Sequence, residues 1–433
     1  MDRIKQLYDW FTQYPLISTD SREIKPDSLF FALKGESFDG NKYAAAALEK
    51  GAVLAIVDDP AVALGQHYFL VDDVLTTLQD LARYHRTQFT CPVIGITGTN
   101  GKTTTKELVN TVLSSHYRTH ATKGNLNNHI GVPLTLLSAK VSEVEMLIVE
   151  MGANHQGEIA FLCTIANPTH GLITNVGKAH LEGFGGEAGV IKGKTELYRH
   201  LKTVSGKAFV CTRQPVLLQL ASELDPLTYG ESVDASYSGS IVSSDPFLIV
   251  NWNDNGSELS IPIHTHLVGS YNIDNVMAAI CVGSYFKVPV DKVVAALESY
   301  IPANNRSQVK QTERNKLFLD AYNANPSSMA AALENFASLD AYPKVVILGD
   351  MFELGDESKE EHQQIVILLL KLNFKTVLLI GPKFSEVSET TTFKRFISTQ
   401  EALQWITENP FEGKCILVKG SRGMKLETLL PAL

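Results

Sequence analysis

Three α/β domains are what this sequence predicts, on three observations. Short apolar runs alternate with helix-length segments along most of the chain, the rhythm of mostly parallel sheets wound with helices. One such run opens directly onto a loop of glycines and a lysine and then a helix, Gly95-Ile-Thr-Gly-Thr-Asn-Gly-Lys-Thr-Thr-Thr-Lys106. The length, 433 residues, exceeds one ordinary domain. The expected division is a small N-terminal α/β domain over residues 1–88, a central phosphate-loop domain over 89–309 and a Rossmann-like domain over 310–433.

The first segment holds strand candidates at 28–33 and 52–57, an alanine-rich helix at 43–50 between them and a helix at 74–86. Residues 87–92 read as a linker. In the central segment, 94–97, 146–150 and 172–176 are short apolar strands ending in polar residues. Around 236–263 the pattern turns to alternation about Asn253-Asp-Asn-Gly256, which predicts a β-hairpin. Helices follow at 273–286 and 290–300, and Ile301-Pro302 breaks the chain. Beyond residue 310, strands at 317–321, 345–349, 376–381 and 415–419 alternate with helices at 327–338, 359–371 and 400–408, the signature of a doubly wound sheet.

Composition narrows the function. The net charge of −9 argues against a nucleic-acid partner. Five scattered cysteines, none in a CxxC pair, fit a reducing cytoplasm with neither disulfide framework nor zinc site. Residues 1–11 lack a leader's apolar core, and no apolar run approaches the roughly 20 residues of a membrane span, so no membrane insertion is expected.

The loop at 98–104 carries the strongest chemistry. Gly98 and Gly101 would let backbone N–H groups close around phosphate oxygens, with Thr99, Asn100 and Thr104 in the same cradle. Lys102 would supply a mobile cation, and the Thr103 hydroxyl a magnesium ligand. The spacing is a compact Gly-x-x-Gly-Lys-Thr variant, because Ile96 stands where the longer motif has its first glycine. A nucleoside triphosphate is the expected ligand.

Glu150 closes an apolar strand beside this loop, where a carboxylate can hold magnesium. Asn125-Leu-Asn127-Asn128 is either a turn or a set of neutral hydrogen-bonding groups for a ligand. His180 follows the strand at 172–176, and a satisfied structural histidine is the default there. Lys192-Gly-Lys194-Thr-Glu196 reads as the opening of a helix; its lysines are phosphate clamps, solvated charges or sites of carbamylation. In the last segment three polar loops follow strands: Asp320-Ala-Tyr322-Asn323-Ala-Asn325-Pro326, Gly349–Gly355 and Lys419-Gly-Ser-Arg-Gly423. Such loops form the ligand crevice of an open sheet. Arg306, between domains, could reach a phosphate.

These strings together resemble the Mur ligases, and within that family the branch that adds D-alanyl-D-alanine. The resemblance rests on Thr19-Asp-Ser-Arg22, Gly98–Thr104, Gly124-Asn-Leu-Asn-Asn128, Glu150-Met-Gly-Ala-Asn154, Ala179-His-Leu-Glu182, the 320–326 string and Leu348-Gly-Asp-Met-Phe-Glu-Leu-Gly355. It implies ATP- and Mg2+-dependent joining of D-alanyl-D-alanine to UDP-N-acetylmuramoyl-tripeptide by a cytoplasmic enzyme, expected to be a monomer. It implies Ser21 and Arg22 near the UDP end, and Asn127, Asn128, Tyr322, Asn323 and Asn325 near the substrates. Thr103, Glu150, His180 and a carbamylated Lys194, with Lys192 as its competitor, would surround the metal, and Asn272, Asn275, Arg306 and Asp320 would complete the nucleotide site. Two positions depart from the family pattern: Tyr271 precedes Asn272 and Asn41 follows Asp39-Gly40, where histidine is common. A folylpolyglutamate-type ligase is the rival within the fold, and a triphosphate-hydrolysing switch the rival outside ligation.

Overall fold

The computed structural model describes residues 2–253, 260–302, 306–341, 343–387 and 392–433. Three main sheets carry the chain. The first is parallel and four-stranded, in the order Leu16–Ser18, Ser28–Phe31, Ala52–Val57, Tyr68–Leu70. A small hairpin, Lys34–Gly35 with Phe38–Asp39, projects beside it.

The second sheet has nine strands, and the apolar strand Val93–Thr97, third from one edge, is buried along its whole length. Burial on both faces is what an uninterrupted apolar run predicts for a central parallel strand. Met146–Glu150 lies on one side, with Ile96 opposite Glu150, and His170–Ile173 on the other. The far edge is a meander in which Tyr237–Ser243, Ile249–Asn253 and Ser260–His264 pair antiparallel. The predicted hairpin is therefore present as paired strands; residues 254–256 of its turn lie outside the described residues.

The third sheet runs Gln308–Gln311, Lys316–Asp320, Cys415–Lys419, Lys344–Gly349, Thr376–Ile380, Lys394–Phe396, parallel but for its first edge strand. The final strand Cys415–Lys419 inserts between two earlier ones. The three predicted polar loops thus leave three adjacent strand ends, at the point where the strand order reverses.

Two expectations are corrected here. The strand expected at 172–176 ends at Ile173, because Thr174 and Asn175 turn away to bond the phosphate loop. Lys192 and Lys194 close the helix Glu187–Lys194 instead of opening one. The Thr195 hydroxyl bonds back to the Ile191 carbonyl at 2.8 Å, and the chain bends there before the helix Glu196–Thr203.

The domains are joined unequally. The helix Val74–Arg86, capped by the Asp73 carboxylate on Thr76 N (2.6 Å), packs against the middle domain. One apolar cluster runs from Leu7, Phe11, Leu78 and Leu81 through Val132, Leu136, Leu162 and Ile165. The last domain instead closes around two clusters to which the rest of the chain contributes little, one centred on Leu333, Phe336 and Leu348 and one on Leu317, Ile347 and Val418. Among the described residues no helix is long and apolar enough to cross a membrane.

Candidate active site

A cleft of about 940 Å³ opens between the middle and last domains. The phosphate loop forms its floor. Gly98 has φ +141° and Gly101 φ +78°, backbone that glycine adopts without strain. A Cβ at Gly98 would lie 2.0 Å from Thr174 Oγ1, and one at Gly101 2.7 Å from Asn275 Oδ1, so both glycines are also required by close approach. The loop is seated from the neighbouring strand: Thr174 Oγ1 donates to Asn100 O (2.6 Å), Asn100 N to Asn175 Oδ1 (2.9 Å), and Thr99 N to Asn175 O (2.9 Å). Thr174 and Asn175 were not singled out by sequence; their only signal was the polar pair ending an apolar run.

Lys102 Nζ folds over the loop and donates to Gly98 O (2.8 Å) and Thr99 O (3.0 Å). Burial pulls its pKa below the usual lysine range, with Glu150 opposing and Arg306 adding to the pull. These two bonds are exchangeable for phosphate oxygens, whose charge would favour the ammonium.

Glu150 is buried, and its Oε1 accepts from Asn127 Nδ2 (2.8 Å) and Thr103 Oγ1 (3.1 Å). Its Oε2 is buried with no hydrogen-bond partner. A carboxylate oxygen left bare beside a threonine hydroxyl fits a hard divalent cation, which takes oxygen donors. Among the described residues no three His, Cys, Asp or Glu side chains cluster at metal-binding distance, so a cation here would draw on hydroxyl, phosphate or water oxygens as well. His180, with φ +51°, lines the same cleft and pairs through Nδ1 with Glu353 of the last domain.

Lys194 is 2% exposed, and Lys192 is exposed. Lys194 Nζ donates to Ala153 O (3.0 Å) and sits 4.9 Å from the Phe184 ring centroid. Burial drives its pKa well below the ordinary lysine range, and the Lys102 charge pushes the same way. Both effects favour the neutral amine over the ammonium. It lies behind the cleft wall, not on it.

Asn272 and Asn275 border the cleft but are wired internally. Asn275 Oδ1 accepts from Thr105 Oγ1 (2.8 Å) and its Nδ2 donates to Asn272 Oδ1 (2.7 Å). Asn272 Nδ2 donates in turn to Val268 O (2.8 Å) and Ser307 Oγ (3.2 Å). Asn128 is similarly engaged, its Oδ1 accepting from Ile130 N and Gly131 N at the start of the helix Gly131–Leu137.

From the last domain come Asp320, paired with the buried Lys419, and Tyr322, with the Arg306 guanidinium carbon 3.6 Å from its ring centroid. Asn323 Oδ1 accepts from Ala324 N (2.9 Å). Asn325 caps the helix Pro326–Ser338 through Oδ1 and donates from Nδ2 to Asn100 Oδ1 at 2.7 Å, joining the two walls directly. Lys178 Nζ adds a second bridge, to Glu361 at 2.7 Å.

Ser21 and Arg22 are not part of this cleft. They lie on the first domain after Leu16–Ser18, where Arg22 forks onto Asp20 and holds that carboxyl down to about 2. Asn41, at the second departure from the family pattern, is 2% exposed and ties Asp39 to Asp58 (2.9 and 2.7 Å).

Comparison with known proteins agrees with this architecture. The family models for the Mur ligase family catalytic domain, the Mur ligase middle domain and the Mur ligase glutamate ligase domain match residues 13–86, 96–283 and 305–422. A UDP-N-acetylmuramoyl-tripeptide–D-alanyl-D-alanine ligase of Bacillus subtilis is 34% identical, over 96% of this chain and 92% of its own. The enzyme of that name from Escherichia coli is 33% identical over 96% and 93%. A crystal structure of MurF from Acinetobacter baumannii superposes with TM-score 0.86 at 32% identity, covering 96% and 92%. MurF from Thermotoga maritima in complex with ADP gives 0.84 at 26% identity, covering 96% of each chain. A Mycobacterium tuberculosis folylpolyglutamate synthase, at TM-score 0.60 and 16% identity, covers 83% of this chain and 94% of its own and shares the fold alone.

Proposed function

The chain belongs to the Mur ligase family, and from that premise we propose that it joins D-alanyl-D-alanine to UDP-N-acetylmuramoyl-tripeptide at the expense of ATP. One observation carries the reading: a seated phosphate loop faces, across one cleft, the Asp320–Pro326 loop and Lys419 of a separate domain. A nucleotide on one wall and an acceptor on the other is the geometry of ligation, not of hydrolysis.

The tripeptide carboxylate attacks the γ-phosphorus of ATP; a P–O bond forms, the bond to ADP breaks, and an acyl phosphate results. Two anions must meet, so Lys102 and the loop N–H groups offset their repulsion. The dipeptide amine then attacks the acyl carbon, the C–N bond forms, a proton leaves the amine and phosphate departs. Water must be excluded meanwhile. Asn100–Asn325 and Lys178–Glu361 support a closed arrangement of the two walls.

Thr103, Glu150 and His180 would hold magnesium, which supplies neutralisation of phosphate charge. We assign Lys194 as the carbamylated lysine. A neutral amine adds to CO2 with loss of a proton, and the resulting anion converts the repulsion from Lys102 into attraction. Asn272 and Asn275 act by positioning the phosphate-loop helix, and Arg306 and Asp320 by facing the nucleotide. Ser21 and Arg22 are assigned to the UDP end on the family pattern. The division at 1–88, 89–309 and 310–433 is supported by one sheet per segment, the edge strand Gln308–Gln311 straddling the last boundary. A monomer is assigned on the family pattern; the use of ATP supports a cytoplasmic setting.

The test is ADP release with ATP and magnesium, adding the UDP-linked tripeptide and the dipeptide singly and together. Turnover that needs both, with a product heavier by the dipeptide, is expected. Equal turnover without either would refute ligation.

A further inference from the structure

The loop Lys419–Gly423 leaves the last strand, and its Arg422 is not used above. Three cations surround Tyr322, and they differ in what balances them. Lys419 is buried and paired with Asp320. Arg306 stacks on one side of the ring. Arg422 donates from Nη1 to the Tyr322 hydroxyl at 3.4 Å, its guanidinium carbon 5.3 Å from the ring centroid. Among the described residues no carboxylate pairs with Arg422.

An apolar surface lies next to it. Phe352 is 44% exposed, although it belongs to a loop that is otherwise tied down: its N donates to Ser421 Oγ (3.0 Å), and Ser421 N donates to Asp350 O (3.1 Å). A Cβ at Gly423 would lie 2.5 Å from the Phe352 ring, so glycine there lets the ring rest against the chain beside Arg422. The fold thus holds an exposed aromatic face and an uncompensated guanidinium on neighbouring loops, the guanidinium on the cleft-lining Tyr322. A ligand with small apolar groups and one carboxylate matches both.

We infer that Arg422 receives the terminal carboxylate of the incoming dipeptide, with Phe352 as the shelf for its methyl groups. The inference rests on the ligase reading and names the residues that choose the acceptor. Reach agrees with it. An extended dipeptide spans about 7 Å at most, and the loop bearing Tyr322 touches the phosphate loop through Asn325 and Asn100.

The experiment compares D-alanyl-D-alanine with its C-terminal amide as acceptors, for wild type, Arg422→Gln, Arg422→Lys and Phe352→Ala. Wild type should prefer the acid by about ten- to a hundredfold in kcat/KM, the loss of one charge-assisted contact. Arg422→Gln should lose that preference through a higher KM for the acid, with KM for ATP unchanged, and Arg422→Lys should keep part of it. Phe352→Ala should weaken acid and amide alike. A wild-type acid-to-amide ratio in Arg422→Gln overturns the inference while leaving the ligase intact. A rise confined to KM for ATP also overturns it, making Arg422 a phosphate ligand. Absence of dipeptide-dependent ADP release from wild type would sink the ligase reading itself, and the inference with it.

Discussion

Replacing Glu150 by glutamine separates what this side chain does for the fold from what it does for a metal. In the metal-free protein Oε1 accepts two hydrogen bonds and Oε2, equally buried, accepts none. Glutamine has nearly the same shape and can turn its amide oxygen toward Thr103 and Asn127. What changes is the other end: a buried charge on a bare acceptor gives way to a neutral NH2 that is equally unpartnered, each costing about 1–3 kcal/mol and the charged group more. The variant should therefore be no less stable than wild type without metal. With magnesium and nucleotide at a hundredfold over Kd, wild type should gain about 2.7 kcal/mol, or roughly 5–10 °C in melting temperature for a domain of this size. Glu150→Gln should lose most of that gain, and its turnover should fall about a hundred- to a thousandfold. Scanning calorimetry with and without magnesium reads the first effect and ADP release the second. A variant whose metal-dependent shift equals that of wild type would refute the assignment of the bare oxygen to a cation.

Lys194→Ala should abolish turnover while Lys192→Ala retains it, and wild-type activity should fall in buffers stripped of CO2 and return with bicarbonate; a CO2-independent rate would remove the carbamate. Gly98→Ala should prevent nucleotide binding, measured by calorimetric titration with ADP, because its Cβ would strike the Thr174 hydroxyl that holds the loop. His170, packed against Phe209, Tyr285 and Phe286, has its pKa lowered to about 4 by burial. The folded state thus favours neutral imidazole, and its contribution is complete above the unfolded value near 6.5. It should be lost as pH falls through about 4, a change of about 2–3 kcal/mol. Urea midpoints between pH 4 and 7 should show a shallower dependence in His170→Phe than in wild type; equal slopes would exclude His170 as the source.

The phosphate loop was legible in the sequence because everything that forms it is local. Strand, two glycines, lysine and helix are consecutive, and each residue type has one physical reason to be there. The three loops of the last domain were legible for a related reason: strand ends are marked by the switch from apolar to polar residues. Their adjacency was not, since it depends on Cys415–Lys419 inserting between strands formed much earlier. The seat of the phosphate loop escaped notice too, because Thr174 and Asn175 act on residues about 75 positions away in the chain. The same holds for Asn272 and Asn275, which the family resemblance assigns to the nucleotide site while their amides serve a buried chain of bonds. Short strands such as Thr119–Ala121 and Lys394–Phe396 carry too few residues for a periodic signal.

The unequal joining of the domains has an evolutionary reading. The first two domains share a single interior, so a substitution at Leu81 or Val132 is felt on both sides of their boundary. The last domain keeps its interior almost wholly to itself and meets the middle domain through polar side chains such as Asn325 and Glu361. Its strand-end loops can diversify without repacking the half that binds nucleotide. On the proposed reading acceptor choice is a replaceable module, and a lineage could acquire a new acceptor by altering one domain while the phosphoryl chemistry stays fixed.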